Sequence, residues 1–164
     1  NGASPHAIPG EAQLEAGQCV VMDFGARAHG YCSDMTRTVF IGRPDARMRA
    51  AYETLREANE RVEAAIRPGV TGAQMHQMAE GVLAAGGFAG KMGHGLGHGV
   101  GVDIHEEPVL SPRNKEPLAP GNVVTVEPGI YLEGDFGMRL EDFGVVTETG
   151  FQVFTQSTHD MVII

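Results

Sequence analysis

Seven residues combine types and spacing that could support one kind of chemistry. His94, His98 and His105 lie in the run MGHGLGHGVGVDIH (92–105), where glycine occupies every second position from 93 to 101. Glycine this dense makes a poor helix and a poor packing surface, so the backbone here must pass very close to something. His94 and His98 at i,i+4 would pair on a zinc ion only within a helix, which these glycines disfavour, and neither GxGxxG nor GxxxxGKS/T can be laid on the segment. Four acids flank it, Asp23 and Asp34 on one side and Glu127 and Glu141 on the other. Brought together as bare charges with an imidazole, they would be prohibitively unfavourable, because each uncompensated buried ion costs several kcal/mol. Divalent cations reverse the sign. Oxygen-rich ligation with one or two nitrogens suits Mn²⁺ and accommodates Co²⁺ or Zn²⁺, and two such ions bridged by carboxylates activate a water for metal-assisted hydrolysis.

The elements that must position these groups follow from pattern. QCVVMDF (18–24) and SDMTRTVFI (33–41) are β-rich runs joined by GARAHG (25–30), a hairpin by composition. A turn centred on residues 28 and 29 would set Asp23 directly opposite Asp34, a destabilising pair unless a positive charge lies between them. Residues 122–132 and 137–147 form a second strand pair, and a turn centred on Gly134 would set Glu127 opposite Glu141. Between the hairpins, Pro44 to Arg67 carries the apolar stripe Met48, Tyr52, Leu55, Val62, Ile66, with Asp45 as cap and Pro68-Gly69 as stop. Thr71-Gly72-Ala73-Gln74 has capping-box form and opens a second helix to Gly86-Gly87, with Met75 and Met78 as core filler and His76 at a boundary. Residues 1–10 read as a loop around His6, 111–121 as a second loop, and 151–155 and 161–164 as short closing strands. Hairpin, two helices, hairpin suggests a duplicated plan with one acid pair from each half.

Composition narrows the classes. The 164 residues allow one domain with a real core. A net charge of -9, with twelve Lys and Arg that form no cluster, argues against nucleic acid or an anionic membrane as partner. No apolar run approaches the roughly 20 residues of a membrane span. Cys19 and Cys32 share no CxxC spacing and read as two buried free thiols, which together with the acidity suggests a cytoplasmic protein.

At PHAIP (5–9), MDFGARAHGYCSDMTRT (22–38), HGLGHGVGVDIHEEP (94–108), VEPGIY (126–131) and RLEDFGVVTETG (139–150), the chain closely resembles the C-terminal catalytic domain of the pita-bread, M24-type metallopeptidases. That family includes Xaa-Pro dipeptidases (prolidases), Xaa-Pro aminopeptidases and, more distantly, methionine aminopeptidases. SDMTRT, EPGIY and RLED favour the Xaa-Pro branch. The resemblance implies an α+β pita-bread fold, a curved antiparallel sheet covered by helices, and a pair of divalent ions, Mn²⁺ foremost. It implies that Asp23 chelates one metal, Asp34 and Glu141 bridge both, and His98 and Glu127 complete the other. Glu127 would also shuttle the proton, His105 would steady the tetrahedral intermediate, and His6 would face the scissile amide. Tyr131 and Arg139 would support the ligands, Arg139 from the same strand face as Glu141. His94 is left with either a pocket role or a structural one.

The same resemblance implies that residues 1–164 are a catalytic domain lacking its first helices and strands and any N-terminal domain. The sheet face those helices would cover should then be apolar, and the chain is expected to assemble with another copy or with that segment, and to be weakly active or inactive alone. Two other functions stay open at this point: a methionine aminopeptidase-like peptidase, and a catalytically silent protein-binding module, although silent relatives have lost the ligands that are all present here.

Overall fold

The two helices form where their sequences encode both ends. A computed structural model describes residues 2–164, leaving Asn1 outside the described residues. Helix α1 spans Ala46–Ala65 and begins where the Asp45 carboxylate accepts from the Met48 amide at 2.7 Å. It buries Met48, Ala51, Tyr52, Leu55, Ala58, Asn59 and Val62, the expected stripe with alanines filling the close approaches. Helix α2 spans Gly72–Ala85 and carries the full capping box: Thr71 Oγ1 accepts from the Gln74 amide, and the Gln74 side chain accepts from the Thr71 amide. Met75 is core, but Met78 is 37% exposed and does not fill the interior as its type suggested. It lies three residues beyond Met75, and the buried stripe passes through Ala79 instead.

Strand β1 (Cys19–Phe24) pairs antiparallel with β4 (Met35–Phe40), and β12 (Val162–Ile163) lies on the other side of β4 in parallel. Between them the short strands β2 (Arg27–Ala28) and β3 (Tyr31–Cys32) carry the reversal at His29-Gly30, both at positive φ. The turn therefore sits one residue later than composition suggested, because glycine at 30 takes the left-handed position most readily. This changes the register. Asp23 stands opposite Thr36, not Asp34. The two aspartates are diagonal neighbours on one face, which eases their repulsion relative to a direct pair.

A five-stranded sheet follows in the order β11 (Phe151–Val153), β10 (Asp142–Val146), β7 (Val123–Val126), β5 (Gly97–Gly99), β6 (Glu106–Leu110). The expected long strand pair is present but broken: β7 stops before Glu127, and β8 (Gly129–Tyr131) pairs with β9 (Gly137–Arg139) as a separate hairpin. The interruption falls at Glu127-Pro128 and Leu140-Glu141, where proline cannot donate to the ladder. The register is the one centred on Gly134, with Val126 opposite Asp142 and Gly129 opposite Arg139, so Glu127 and Glu141 stand across from each other. Where the two larger sheets meet, Thr36 and Glu141 form an isolated main-chain bridge.

α1 and α2 pack on each other and α1 touches β7, β8, β9 and β11, closing a core that includes Phe40 edge-on to Tyr52 at 5.5 Å. The outer end of β1 is not covered: Met22 and Phe24 are exposed, as are Val162, Ile163 and Ile164 at the end of the chain. Both cysteines are free and only half-buried. Among the described residues no helix is long and apolar enough to cross a membrane.

Removing the α2 cap isolates one of these terms. Thr71→Ala is expected to destabilise the protein by about 1 kcal/mol, measured as a lowered midpoint in thermal or urea unfolding with unchanged metal binding.

Candidate metal centre

The site is built at the seam where the sheets meet. Thr36 and Asp34 alternate on the face of β4 that Asp23 shares from β1, while Glu127 and Glu141 leave the ends of β7 and β9 toward the same place. β5 brings His98 between them. A Cβ on Gly97 would lie 2.2 Å from the Thr125 carbonyl oxygen and one on Gly99 2.6 Å from that of Glu107, so the glycine spacing lets β5 run against β7 and β6. The close neighbours expected of this segment are thus its own flanking strands.

One cavity of about 590 Å³ is lined by His6, Asp23, Asp34, His94, His98, His105, Glu127, Arg139 and Glu141, which includes every sequence-derived candidate except Tyr131. Its floor is Glu141, 2% exposed, and Asp34, 9% exposed. His98 and Glu127 stand half-buried above them, and Asp23, His6 and His105 reach the rim. Ligand atoms of Asp34, His98 and Glu141 all lie within 4.8 Å of one another. His98 Nε2 is 3.2 Å from Glu127 Oε1 and 3.6 Å from Asp34 Oδ2. The other ring nitrogen, Nδ1, donates to the Gly99 carbonyl at 3.0 Å, which aims Nε2 at the carboxylates as in metal-bound histidines. His105 stacks edge-on against His98 with ring centres 4.3 Å apart.

Hydroxyls and one guanidinium hold the acids. Thr36 Oγ1 donates to Glu141 Oε2 at 2.6 Å, and Thr125 Oγ1 donates to Glu127 Oε1 at 3.1 Å while accepting from the His98 amide. Arg139, buried, donates from Nε to Thr36 Oγ1, from Nη1 to the Tyr131 hydroxyl and from Nη2 to Asp23. The Tyr131 hydroxyl donates in turn to His94 Nε2 at 3.1 Å, and His94 Nδ1 donates to the Gly95 carbonyl. Tyr131 therefore lies behind the cavity wall, and His94 both lines the cavity and has its two ring nitrogens engaged. Thr36 and Thr125 were not singled out from sequence. Their signal was the period-2 spacing, two residues from Asp34 and from Glu127, which puts them on the ligands' own strand faces.

Crowding shows in the acidities. Burial, then the charges of Glu127 and Asp34, pushes the Glu141 carboxyl up to about 9. Burial, then Asp23, raises Asp34 to about 6. Burial would lower the His98 imidazole, but its bonds to Glu127 and to the Gly99 carbonyl, with the charges of Glu127 and Glu141, together outweigh that and lift it to about 9. A donor set of carboxylate oxygens and one imidazole nitrogen, in which Glu141, Asp34 and His98 are all shifted toward their protonated forms, fits a divalent cation: the ion would supply the positive charge the protons otherwise bring.

The model of metallopeptidase family M24 matches residues 1–148. The Xaa-Pro dipeptidase of Lactobacillus helveticus is 38% identical over 164 residues, covering 100% of this chain and 45% of that protein. Among solved structures, the X-Pro aminopeptidase from Thermotoga maritima superposes with a TM-score of 0.96 at 39% identity, over 99% of this chain and 46% of that one. The Xaa-Pro dipeptidase from Bacillus anthracis superposes with a TM-score of 0.97 at 40% identity, again over 99% and 46%. The architecture is the mixed α and β pita-bread fold. The chain belongs to metallopeptidase family M24, and it spans a little under half the length of the relatives it matches.

Because the folded-state pKa of Glu141 is raised, from 4.5 to about 9, its contribution to stability is present below the lower value and lost as pH rises through the upper one. In chelator-treated protein, Glu141→Gln is therefore expected to be more stable than the parent, the gap widening as pH rises across that window, while divalent-metal affinity falls roughly a hundredfold. Thermal unfolding against pH with a metal titration checks both signs.

Proposed function

We propose that residues 1–164 form the catalytic domain of a two-metal exopeptidase that hydrolyses the bond between an N-terminal residue and proline. The observation that carries this reading is the convergence of Asp23, Asp34, His98, Glu127 and Glu141, distant in sequence, on one cavity at the sheet seam. Relatives 38% to 40% identical whose names specify Xaa-Pro dipeptidase or X-Pro aminopeptidase support the substrate class. In this reading Asp23, Asp34, His98, Glu127 and Glu141 would hold the two ions, with Mn²⁺ suited best and Co²⁺ or Zn²⁺ accommodated. Bound there, the ions supply Lewis acidity and lower the pKa of water toward neutrality.

The chain's own groups carry the remaining work. Glu127, held by Thr125, accepts the proton of the attacking water and delivers it to the proline nitrogen. The water oxygen bonds to the carbonyl carbon, the C–N bond breaks, and the products are a carboxylic acid and proline's free secondary amine. His105 donates to the carbonyl oxygen as negative charge gathers on it, and His6, across the cavity, faces the scissile amide. Arg139 and Tyr131 keep the acids and His94 in place. A dedicated site is needed because an Xaa-Pro amide has no N–H and its ring does not fit the extended geometry most peptidases impose.

The test is metal content by mass spectrometry together with proline release from an Xaa-Pro dipeptide. About two ions per chain and Mn²⁺-dependent release, abolished by chelator, are expected. Cleavage of N-terminal methionine alone would favour the methionine aminopeptidase alternative, and intact protein without metal would favour a binding module. His105→Ala should lower kcat about a hundredfold or more with metal content unchanged. The exposed apolar residues of β1 and β12 support assembly with a second copy or with the remainder of the relatives' length, and a stable monomer with full turnover in light scattering would remove that part of the reading.

A further inference from the structure

We infer that Arg37 is the positioning residue for Glu141, clamping the seam between the two sheets from the side opposite the cavity. This rests on the metal-holding role proposed for Glu141. Arg37 follows Thr36 in β4, so its side chain leaves the face away from the site, and it is 6% exposed. A guanidinium has five N–H donors, and all five are used. Nη1 donates to the Thr36 carbonyl at 2.9 Å and to the Glu141 carbonyl at 2.7 Å. Nη2 donates to Asp142 Oδ1 at 2.7 Å and to the Ser157 carbonyl at 2.9 Å, and Nε donates to the Thr158 carbonyl at 3.1 Å.

The two carbonyls on Nη1 are those of the isolated bridge itself. Without Arg37, β4 and the Glu141 segment are tied through the main chain by Glu141 N–H to Thr36 O at 3.1 Å and Thr36 N–H to Glu141 O at 3.4 Å, the second a long bond. Arg37 binds both acceptors from one rigid plane and so sets their separation. On the cavity side the same two residues meet again, Thr36 Oγ1 on Glu141 Oε2. The spacing Arg37 sets is therefore the spacing between the floor carboxylate and its hydroxyl partner.

The clamp is itself anchored. Asp142 is fully buried, and its second oxygen accepts from His159 Nε2 at 2.7 Å. His159 Nδ1 donates to Glu60 of α1 at 3.2 Å. Segment 157–160 thus joins α1 to the back of the metal centre through Arg37 and Asp142. Lysine, a point charge with three donors, cannot reproduce a planar fork shared among five acceptors.

The test uses the full chain, with Arg37→Lys and Arg37→Gln, and with Arg49→Ala as control, since Arg49 reaches Met161 of the same terminal segment but not Glu141. Folding is followed by circular dichroism, Mn²⁺ affinity by competition titration, and the metal pair by its exchange-coupled paramagnetic resonance signal. With the fold retained, Arg37→Lys is expected to weaken Mn²⁺ binding by about tenfold or more. At saturating Mn²⁺, kcat should fall by about tenfold with KM changed less than about threefold, whereas Arg49→Ala should match the parent. If the Arg37 variants do not fold, Asp142→Asn, which keeps size and an acceptor but removes the charge, is expected to shift affinity and kcat in the same direction. A folded Arg37→Lys or Asp142→Asn with parental Mn²⁺ affinity overturns the inference while leaving the metallopeptidase reading intact. A parent protein that binds no Mn²⁺ removes both.

Discussion

Negative charge confined where water is scarce is the condition around which this chain is arranged. Asp34 and Glu141 are buried side by side with Glu127 and Asp23 close above, and the displaced acidities of Asp34 and Glu141 record the free-energy cost. A fold maximising its own stability would place apolar residues at such a seam, because a buried ion is worth keeping only when it is compensated. That the seam is acidic, and that His98 turns its free nitrogen into it, is what makes a cation-binding role the economical account.

Holding like charges together requires stiff supports, and most of these come from outside the five proposed ligands. Arg139 reaches Thr36, Tyr131 and Asp23 from one planar group, giving the aspartate a countercharge without competing for the floor. Thr125 fixes both His98, through its amide, and Glu127, through its carboxylate, so the imidazole and the acid keep a constant relation. From α1, Asn59 donates to the Val126 carbonyl, pinning the residue before Glu127 to the helix layer. Helix α1 thereby contributes more than a cover: its Asn59 ties the last residue of β7 to the helix layer.

Much of this could be read along the chain. Helix α1 was legible because its cap and its 3.6-residue stripe are local properties, and α2 because Thr71 and Gln74 answer each other within one turn. The second hairpin's register was legible from its turn centre at Gly134, which fixes every pair beyond it, Glu127 and Glu141 included. The first hairpin turns one residue later than its composition suggests, since composition alone does not say which of several glycine-bearing positions takes positive φ, and one residue there moves Asp23 from Asp34 to Thr36. Met78 is exposed although its type suits a core, because residue type does not say which side of a helix faces its neighbour.

The amino-acid order by itself determined the candidate ligands, their strand faces and the local turns and caps, because these depend on side-chain chemistry and on periods of two and 3.6 residues. Only the tertiary structure decided that Thr36 and Glu141 bridge the two sheets through their main chains, that Arg37 sits behind that bridge and Arg139 in front of it, and that Asp142 and His159 belong to one network. Those contacts join residues more than a hundred positions apart or arise from the face opposite the ligands. Nothing in local pattern distinguishes such a buried, fully hydrogen-bonded arginine from one on a solvated strand; the difference lies in what the rest of the chain packs against it.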